Sequence, residues 1–208
     1  MSDKDTVTKE FMRDTKIFAD AFNYLLYNGK EVIKPHNLHP LDTDLTALPF
    51  READVVPVQR YRDLLNRTTI MQDGKATYLL LGIENQSEVH YAMPVRNMVY
   101  DALQYAAQVE QTAKMHREER KRRREQAKEK SSAPEQNPAP KISSGEYLSG
   151  FYKDDKLLPV ITLVLLFDSN PWDGPLSLHE MMDLPSETLR SYVPDYRIHL
   201  IAPESMNT

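Results

Sequence analysis

The sequence predicts an α/β domain with a mixed central sheet, built in the order helix, three strands, helix, strand. Three observations predict it. Asp73-Gly74 is a tight-turn pair joining two strands between residues 61 and 83, and this pair favours a two-residue hairpin because both positions tolerate positive φ. The run 76–83 (ATYLLLGI) is almost continuously apolar, which suits a strand buried on both faces. A second apolar run, 157–167 (LLPVITLVLLF), is separated from the first by a long helical stretch. Strand, helix and strand then form a β-α-β unit, expected to be parallel with a right-handed crossover.

The first helix is expected over residues 9–27, where Phe11, Phe18, Phe22 and Leu25 recur at helical spacing and Asn28-Gly29 supplies a stop. Asp14 falls on the apolar side of that helix, at its rim or with a partner; Asp20 points away. Residues 36–44 (HNLHPLDTD) are turn-rich. Their two His and two Asp lack regular ligand spacing, so a plain loop is expected. A short strand is expected between 45 and 58, then the hairpin. Pro94 suits the first turn of a helix that runs from Val95 well past Ala113, with Val95, Val99, Ala102, Ala106, Val109 and Ala113 marking one face. Residues 172–175 (WDGP) form a turn. Ser177 to Glu180 reads as a capping box opening a short helix, which makes His179 and Glu180 structural. Residues 197–201 (RIHLI) are the last strand, and there are no internal repeats.

A chain of 208 residues is long enough for one domain with a substantial core. The absence of cysteine excludes a disulfide framework and cysteine-ligated zinc. The six histidines show no zinc-ligand spacing. The N-terminus lacks the apolar centre of a signal peptide, and the longest apolar run is too short to span a bilayer, so a cytoplasmic protein with no membrane partner is expected. The net charge of −5 argues weakly against a nonspecific nucleic-acid coat protein, although a local patch can still steer a polyanion.

The chemistry concentrates in residues 62–86 (RDLLNRTTIMQDGKATYLLLGIENQ), which open on Asp63 and end on Glu84, Asn85 and Gln86. A buried strand ending in a carboxylate has broken its own apolar pattern, and strand ends are where α/β proteins place chemistry. Two carboxylates brought together by a hairpin can hold one hard divalent cation. Glu84 and Gln86 alternate along the strand and share a face. As plain structure, Asp63 would be a strand-edge charge, Gln86 an exposed amide and Glu88 a solvated loop charge; the last is the reading taken.

These residues carry a resemblance. The segments FMRDTKIFADAFNYLL, YRDLL, GIENQS, YAMPVRNMVYDALQY and LPVITLVLLFDSNPWDGPLSLHEM together resemble the Rpn-type recombination-promoting nucleases, the transposase-like branch of the PD-(D/E)XK nuclease superfamily. The likeness covers most of the chain outside residues 115–144. It implies a restriction-endonuclease-like core and metal-dependent DNA cleavage linked to recombination or mobile elements. Asp63 and Glu84 would be ligands of magnesium, with manganese as an alternative, and Gln86 would stand in the slot of the superfamily lysine. A lysine there can polarise the attacking water by its charge; a glutamine only hydrogen-bonds to it, so low turnover is expected. The resemblance also sets Asp14 of the first helix beside the metal and places Arg96 and Tyr100 near the active site. Arg96 would grip a phosphate oxygen or be a surface arginine; Tyr100 reads foremost as a core-edge residue. Relatives usually continue with a further, mostly helical segment, so a C-terminally truncated member is expected.

Residues 114–130 hold nine Lys or Arg against four Glu. Mixed signs at short spacing support an exposed helical extension. Within it Arg120, Lys121, Arg122, Arg123 and Arg124 could contact a DNA backbone, but no aromatics are interleaved, so a solvated helix end is the favoured reading. Residues 131–141 (SSAPEQNPAPK) form a flexible linker. The whole chain, 1–208, is thus expected to be a single domain with a charged, Pro-rich insertion at 114–144. The function expected is a magnesium-dependent endodeoxyribonuclease. The alternative is a truncated relative that binds nucleic acid or a protein without cutting. A small-molecule phosphoesterase ranks last, since the six glycines form no phosphate-cradling loop. Cutting both strands of a duplex calls for two sites, which makes a homodimer one expectation.

Overall fold

The computed structural model describes residues 3–41, 44–47, 58–61, 63–72, 75–129 and 142–202. The chain divides into two compact units, Met1–Gln104 with Leu158–Thr208, and Tyr105–Leu157. The insertion 114–144 of the sequence reading falls within the second; its linker, 131–141, lies outside the described residues.

The first unit opens with α1 (Asp3–Met12) and α2 (Thr15–Tyr27), where the sequence predicted one helix. The break is at Asp14. Its backbone is extended (φ −62°, ψ 118°) and its side chain accepts from the Lys16 N–H at 2.8 Å, capping α2. Phe11 therefore belongs to α1 and is exposed, while Phe18 and Phe22 are buried with ring centroids 5.1 Å apart. The α2 stop is as expected: Asn28 adopts the left-handed conformation, and the Asn28 and Gly29 N–H groups return to the Asn23 carbonyl. The Asn23 side chain, buried in α2, ties down the chain beyond the turn. Its Nδ2 donates to the Ile33 carbonyl at 2.9 Å and its Oδ1 accepts from Val32 and Ile33 N–H at 3.1 and 2.8 Å.

Then come β1 (His39–Pro40), β2 (Asp44–Ala47), β3 (Val58–Tyr61), β4 (Leu64–Gln72) and β5 (Lys75–Gln86). The segment read as a plain loop thus contributes β1, a two-residue rung on β4. The strand expected between 45 and 58 becomes two, β2 and β3, paired antiparallel in a separate small sheet. The Asp73-Gly74 turn lies outside the described residues, but its flanks pair antiparallel from Gln72↔Lys75 to Leu64↔Ile83, the register a two-residue loop dictates. After β5 come α3 (Met93–Glu129), α4 (Ser144–Ser149), β6 (Val160–Leu166), α5 (Glu187–Tyr192) and β7 (His199–Ile201). β6 pairs parallel with β5, and β7 parallel with β6, giving a five-stranded mixed sheet in the order β1-β4-β5-β6-β7. The parallel β5–β6 pair across an intervening helix is the arrangement the two apolar runs predicted.

Register assigns the faces. Ile70, Leu79, Leu81, Ile83, Leu163, Leu165 and Ile201 join Phe18, Phe22, Ile33 and Leu38 in the main core. The other face packs Val164 against Met93 and Ile198. It also carries a polar tie: buried Asp101 accepts from Thr162 Oγ1 and Tyr196 Oη, each at 2.6 Å. The apolar face expected on α3 is therefore not the buried one in its first turns. Met93, Asn97, Tyr100, Asp101 and Gln104 are buried, whereas Val95 and Ala102 are exposed. A stripe half made of polar residues reads as surface until its partners are known.

The capping box expected at Ser177 is only half formed. Ser177 Oγ accepts from Glu180 N–H, but Glu180 Oε2 accepts from Leu176 N–H at 2.7 Å. The cause is that residues 176–178 are tied by an antiparallel bridge to residues 196–198, so only a 3-10 turn, His179–Met181, follows. His179 bonds the Val193 carbonyl through Nε2 at 2.7 Å, a structural role as expected. Among the described residues, no helix is long and apolar enough to cross a membrane.

In the second unit a complete capping box opens α4 instead. Ser143 Oγ accepts from Glu146 N–H, and the Glu146 carboxylate accepts from Ser143 N–H and Oγ–H at 2.8 Å and from Lys153 N–H at 3.0 Å. Gly150 ends α4 at φ 70°, and a Cβ there would stand 2.8 Å from the Ala113 Cβ of α3, so both conformation and space require glycine.

Replacing Asn23 by Ala strands two N–H groups and a carbonyl in a buried turn and should cost about 3 kcal/mol in urea unfolding. The Lys153 and Ser143 N–H groups hold the Glu146 carboxyl down at about 2, from an ordinary 4.5. A depressed carboxyl stabilises fully above its unfolded value and loses that contribution as pH falls through its folded value. Hydrogen-exchange protection of α4 should therefore drop between pH 4.5 and about 2, and Glu146→Gln should remove that acid dependence.

Candidate functional site

Leu64 pairs with Ile83 in the last rung of the hairpin, so Asp63 immediately precedes that rung and Glu84 immediately follows it. The two sequence-predicted acids thus meet at one end of the sheet. Asp63 Oδ2 accepts from Asn85 N–H at 2.9 Å, and Lys9 Nζ of α1 stands 3.8 Å from Asp63 Oδ1.

Glu84 is fully buried and pairs with Val164 of β6. A carboxylate there costs several kcal/mol unless a partner meets it. Arg96, one turn into α3, supplies one through Nη2 at 3.3 Å from Glu84 Oε2. Burial by itself would lower the Arg96 guanidinium, but the Glu84 carboxylate, with Tyr100 and Asp63, outweighs it and the net shift is upward. Arg96 lies over the Tyr100 ring at 5.6 Å. Burial raises the Tyr100 phenol, the negative charge of Glu84 adds to that rise, and Arg96 opposes it.

Glu84 and Gln86 share the sheet face that α3 covers, as strand alternation predicted. Gln86 Nε2 donates to the Asn85 carbonyl at 2.8 Å, which leaves the side-chain oxygen as its accepting end. A cleft of about 410 Å³ opens here, lined by Asp63, Gln86 and Arg96 together with Lys9, Asn85, Glu88 and His90. Glu84 sits behind Arg96 rather than on the wall. Tyr100 is buried, on the core edge as the sequence suggested. Asp14 does not line the cleft; its carboxylate is engaged as the α2 cap. Glu88 is exposed and borders the cleft.

Sequence reasoning missed Lys9, Asn85 and His90. Lys9 stands in a charged helix at no fixed spacing from Asp63, so nothing local signals it. Asn85 sits between the two residues singled out, and both polar atoms of its amide are buried without a partner among the described residues. His90 lies four residues past Gln86; its Nδ1 accepts from Ala92 N–H at 3.3 Å.

The donor set near the rung is all oxygen, the type a hard divalent cation takes, and magnesium keeps several waters rather than demanding a full cage of side chains. Asp63 and Glu84 fit that role in chemical type. Both are matched at present by organic cations, Lys9 and Arg96. Among the described residues no three His, Asp or Glu side chains surround one point. The basic residues Arg120 to Arg124 belong to the second unit. There Arg120 bonds Tyr152, Arg123 pairs with Glu119 at 2.6 Å, and Lys121, Arg122 and Arg124 are exposed.

No family model, curated protein or solved structure matches this chain.

Arg96→Met should lower stability by about 3 kcal/mol, because it leaves a buried carboxylate short of a positive partner. Adding Glu84→Gln should recover most of the loss. Strictly additive losses in a double-mutant cycle, read by urea unfolding in EDTA, would show that the pair is not coupled.

Proposed function

We propose that this protein is a metal-dependent DNA endonuclease with a restriction-endonuclease-like core, akin to the Rpn-type branch that its segments resemble. The observation that carries the reading is the hairpin's last rung, which brings Asp63, on the wall of a cleft, to the same end of the sheet as Glu84, buried behind Arg96, with Gln86 two residues on. The element order supports it: α2, then the antiparallel strands β1, β4 and β5, then α3, then the parallel strand β6.

Asp63 and Glu84 would hold magnesium, or manganese in its place. Bound there, the cation supplies positive charge at the scissile phosphate and lowers the pKa of a water. Gln86, its amide nitrogen anchored on the Asn85 carbonyl, presents an oxygen that accepts a hydrogen of the attacking water and orients it. Lys9 brings to the cleft the positive charge that a glutamine lacks. Arg96 offers a guanidinium to a phosphate oxygen. Recombination or a mobile element is the biological setting that the resemblance suggests, and a homodimer would supply two sites for a duplex.

One observation favours a second reading, a relative that binds nucleic acid without cutting. Each carboxylate is already ion-paired, Asp63 with Lys9 and Glu84 with Arg96, and a cation must displace that charge before it can bind.

Plasmid nicking by purified protein in magnesium, manganese or EDTA separates the two. Metal-dependent nicking is expected, reduced at least a hundredfold in Asp63→Asn and about tenfold in Lys9→Met, with circular dichroism showing both variants folded. Nicking that survives in a clean Asp63→Asn preparation would remove the site assignment. A folded wild type that binds DNA and never nicks would leave the binding reading.

A further inference from the structure

Lys114, Arg117, Lys121 and Arg124 are all exposed and recur along α3 at intervals of three, four and three residues. At 3.6 residues per turn that spacing confines them to one stripe of the helix, about 15 Å long. Glu118 and Glu125 border the stripe on one side. Arg122 falls farther round the helix, and Arg123 is held by Glu119. The contiguous run Arg120 to Arg124 therefore does not share one face; the periodic set does.

The other border of the stripe is aromatic. Ala113, His116 and Arg120 face the segment 143–156, which folds back on α3 within the second unit. His116 stacks on Tyr152 at 3.7 Å and 13°, with Nε2 donating to Asp155 at 2.9 Å. Asp155 also accepts from Tyr152 N–H at 2.6 Å. Arg120 donates to Tyr152 Oη at 2.5 Å and lies over the Tyr147 ring at 5.1 Å. Arg120 thus covers one face of the Tyr147 ring, and Tyr147 remains half exposed, at 54 %. The aromatics that the linear sequence does not interleave with its basic run are interleaved by the fold.

We infer that this face of the second unit binds single-stranded DNA, with Lys114, Arg117, Lys121 and Arg124 on successive phosphates and Tyr147 stacking a base. A row of cations answers a polyanion of regular charge spacing. A half-exposed ring beside it offers a stacking platform that only an unpaired base can use. A duplex presents phosphates but no base face, so the ring makes single strands the better partner. The choice of DNA over RNA rests on the function proposed above; the surface itself does not.

The test is fluorescence anisotropy of the full chain with a labelled oligo-dT, across a salt series in EDTA, so that the result is independent of whether the protein cuts. Four phosphate contacts predict a log–log salt slope of about −2.8. Changing Lys114, Arg117, Lys121 and Arg124 together to Gln should make the slope shallower by about 2.8. Tyr147→Ala should weaken binding about tenfold at unchanged slope, and Tyr147→Phe should restore it, since a ring and not a hydroxyl is needed. Arg122→Gln, farther round the helix, should leave the stripe's contribution intact. The proposal is overturned if the quadruple variant keeps the wild-type slope, if duplex or RNA of equal length binds more tightly, or if anionic vesicles compete as well as the oligonucleotide does.

Discussion

A carboxylate at the end of a buried central strand constrains the first unit more than any other single group. Glu84 is fully buried, one residue past the last β4–β5 pair and opposite Val164 of β6, and at that depth its charge needs a cation held in place rather than a mobile counterion. Arg96 meets it, and that contact settles where α3 enters the sheet. Once Arg96 is placed, Met93 falls on Val164 and Ile198, and Asp101, two turns on from Met93, falls on Thr162 and Tyr196. Helix, parallel strands and the loop before β7 are thereby joined through one face. A well-packed hydrophobic residue at 84 would avoid the desolvation cost that Glu84 and Arg96 bear together.

The fold was legible where the signal is local. The tight-turn pair set the β4–β5 register although the turn itself lies outside the described residues, because the paired strands on either side carry the same information. The apolar runs 76–83 and 157–167 reported two buried strands, and their separation by a helix reported a parallel pair. Where a signal serves two outcomes, the sequence misled. Asp14 reads as an acid on one long helix, but the extended backbone at that residue makes it the cap between two helices. Ser177 and Glu180 spell a capping box, yet pairing of 176–178 with 196–198 takes the backbone that the box needs. The Val95–Val99–Ala102 stripe on α3 looked like the buried face because Asn97, Asp101 and Gln104 look like surface until Thr162 and Tyr196 are known to lie opposite.

The site follows the same division. Asp63, Glu84 and Gln86 could be singled out because one short segment of chain contains both strands that carry them. Lys9 could not, since its distance from Asp63 depends on how α1 lies against the hairpin. In the second unit, the capping box at Ser143 and the glycine at 150 are local devices, but they fold a segment whose tyrosines pack on cations some thirty residues earlier.

The sequence by itself determined the two buried strands and the helix between them, the hairpin register and the pairing of two acids at one strand end, because periodicity, turn chemistry and alternation act over a few residues. Tertiary structure alone decided which charges meet: Lys9 with Asp63, Arg96 with Glu84, Arg120 with Tyr147 and Tyr152. Charge and stacking interactions act through space and fall off within a few ångströms, so they depend on three-dimensional neighbours that spacing along the chain does not encode.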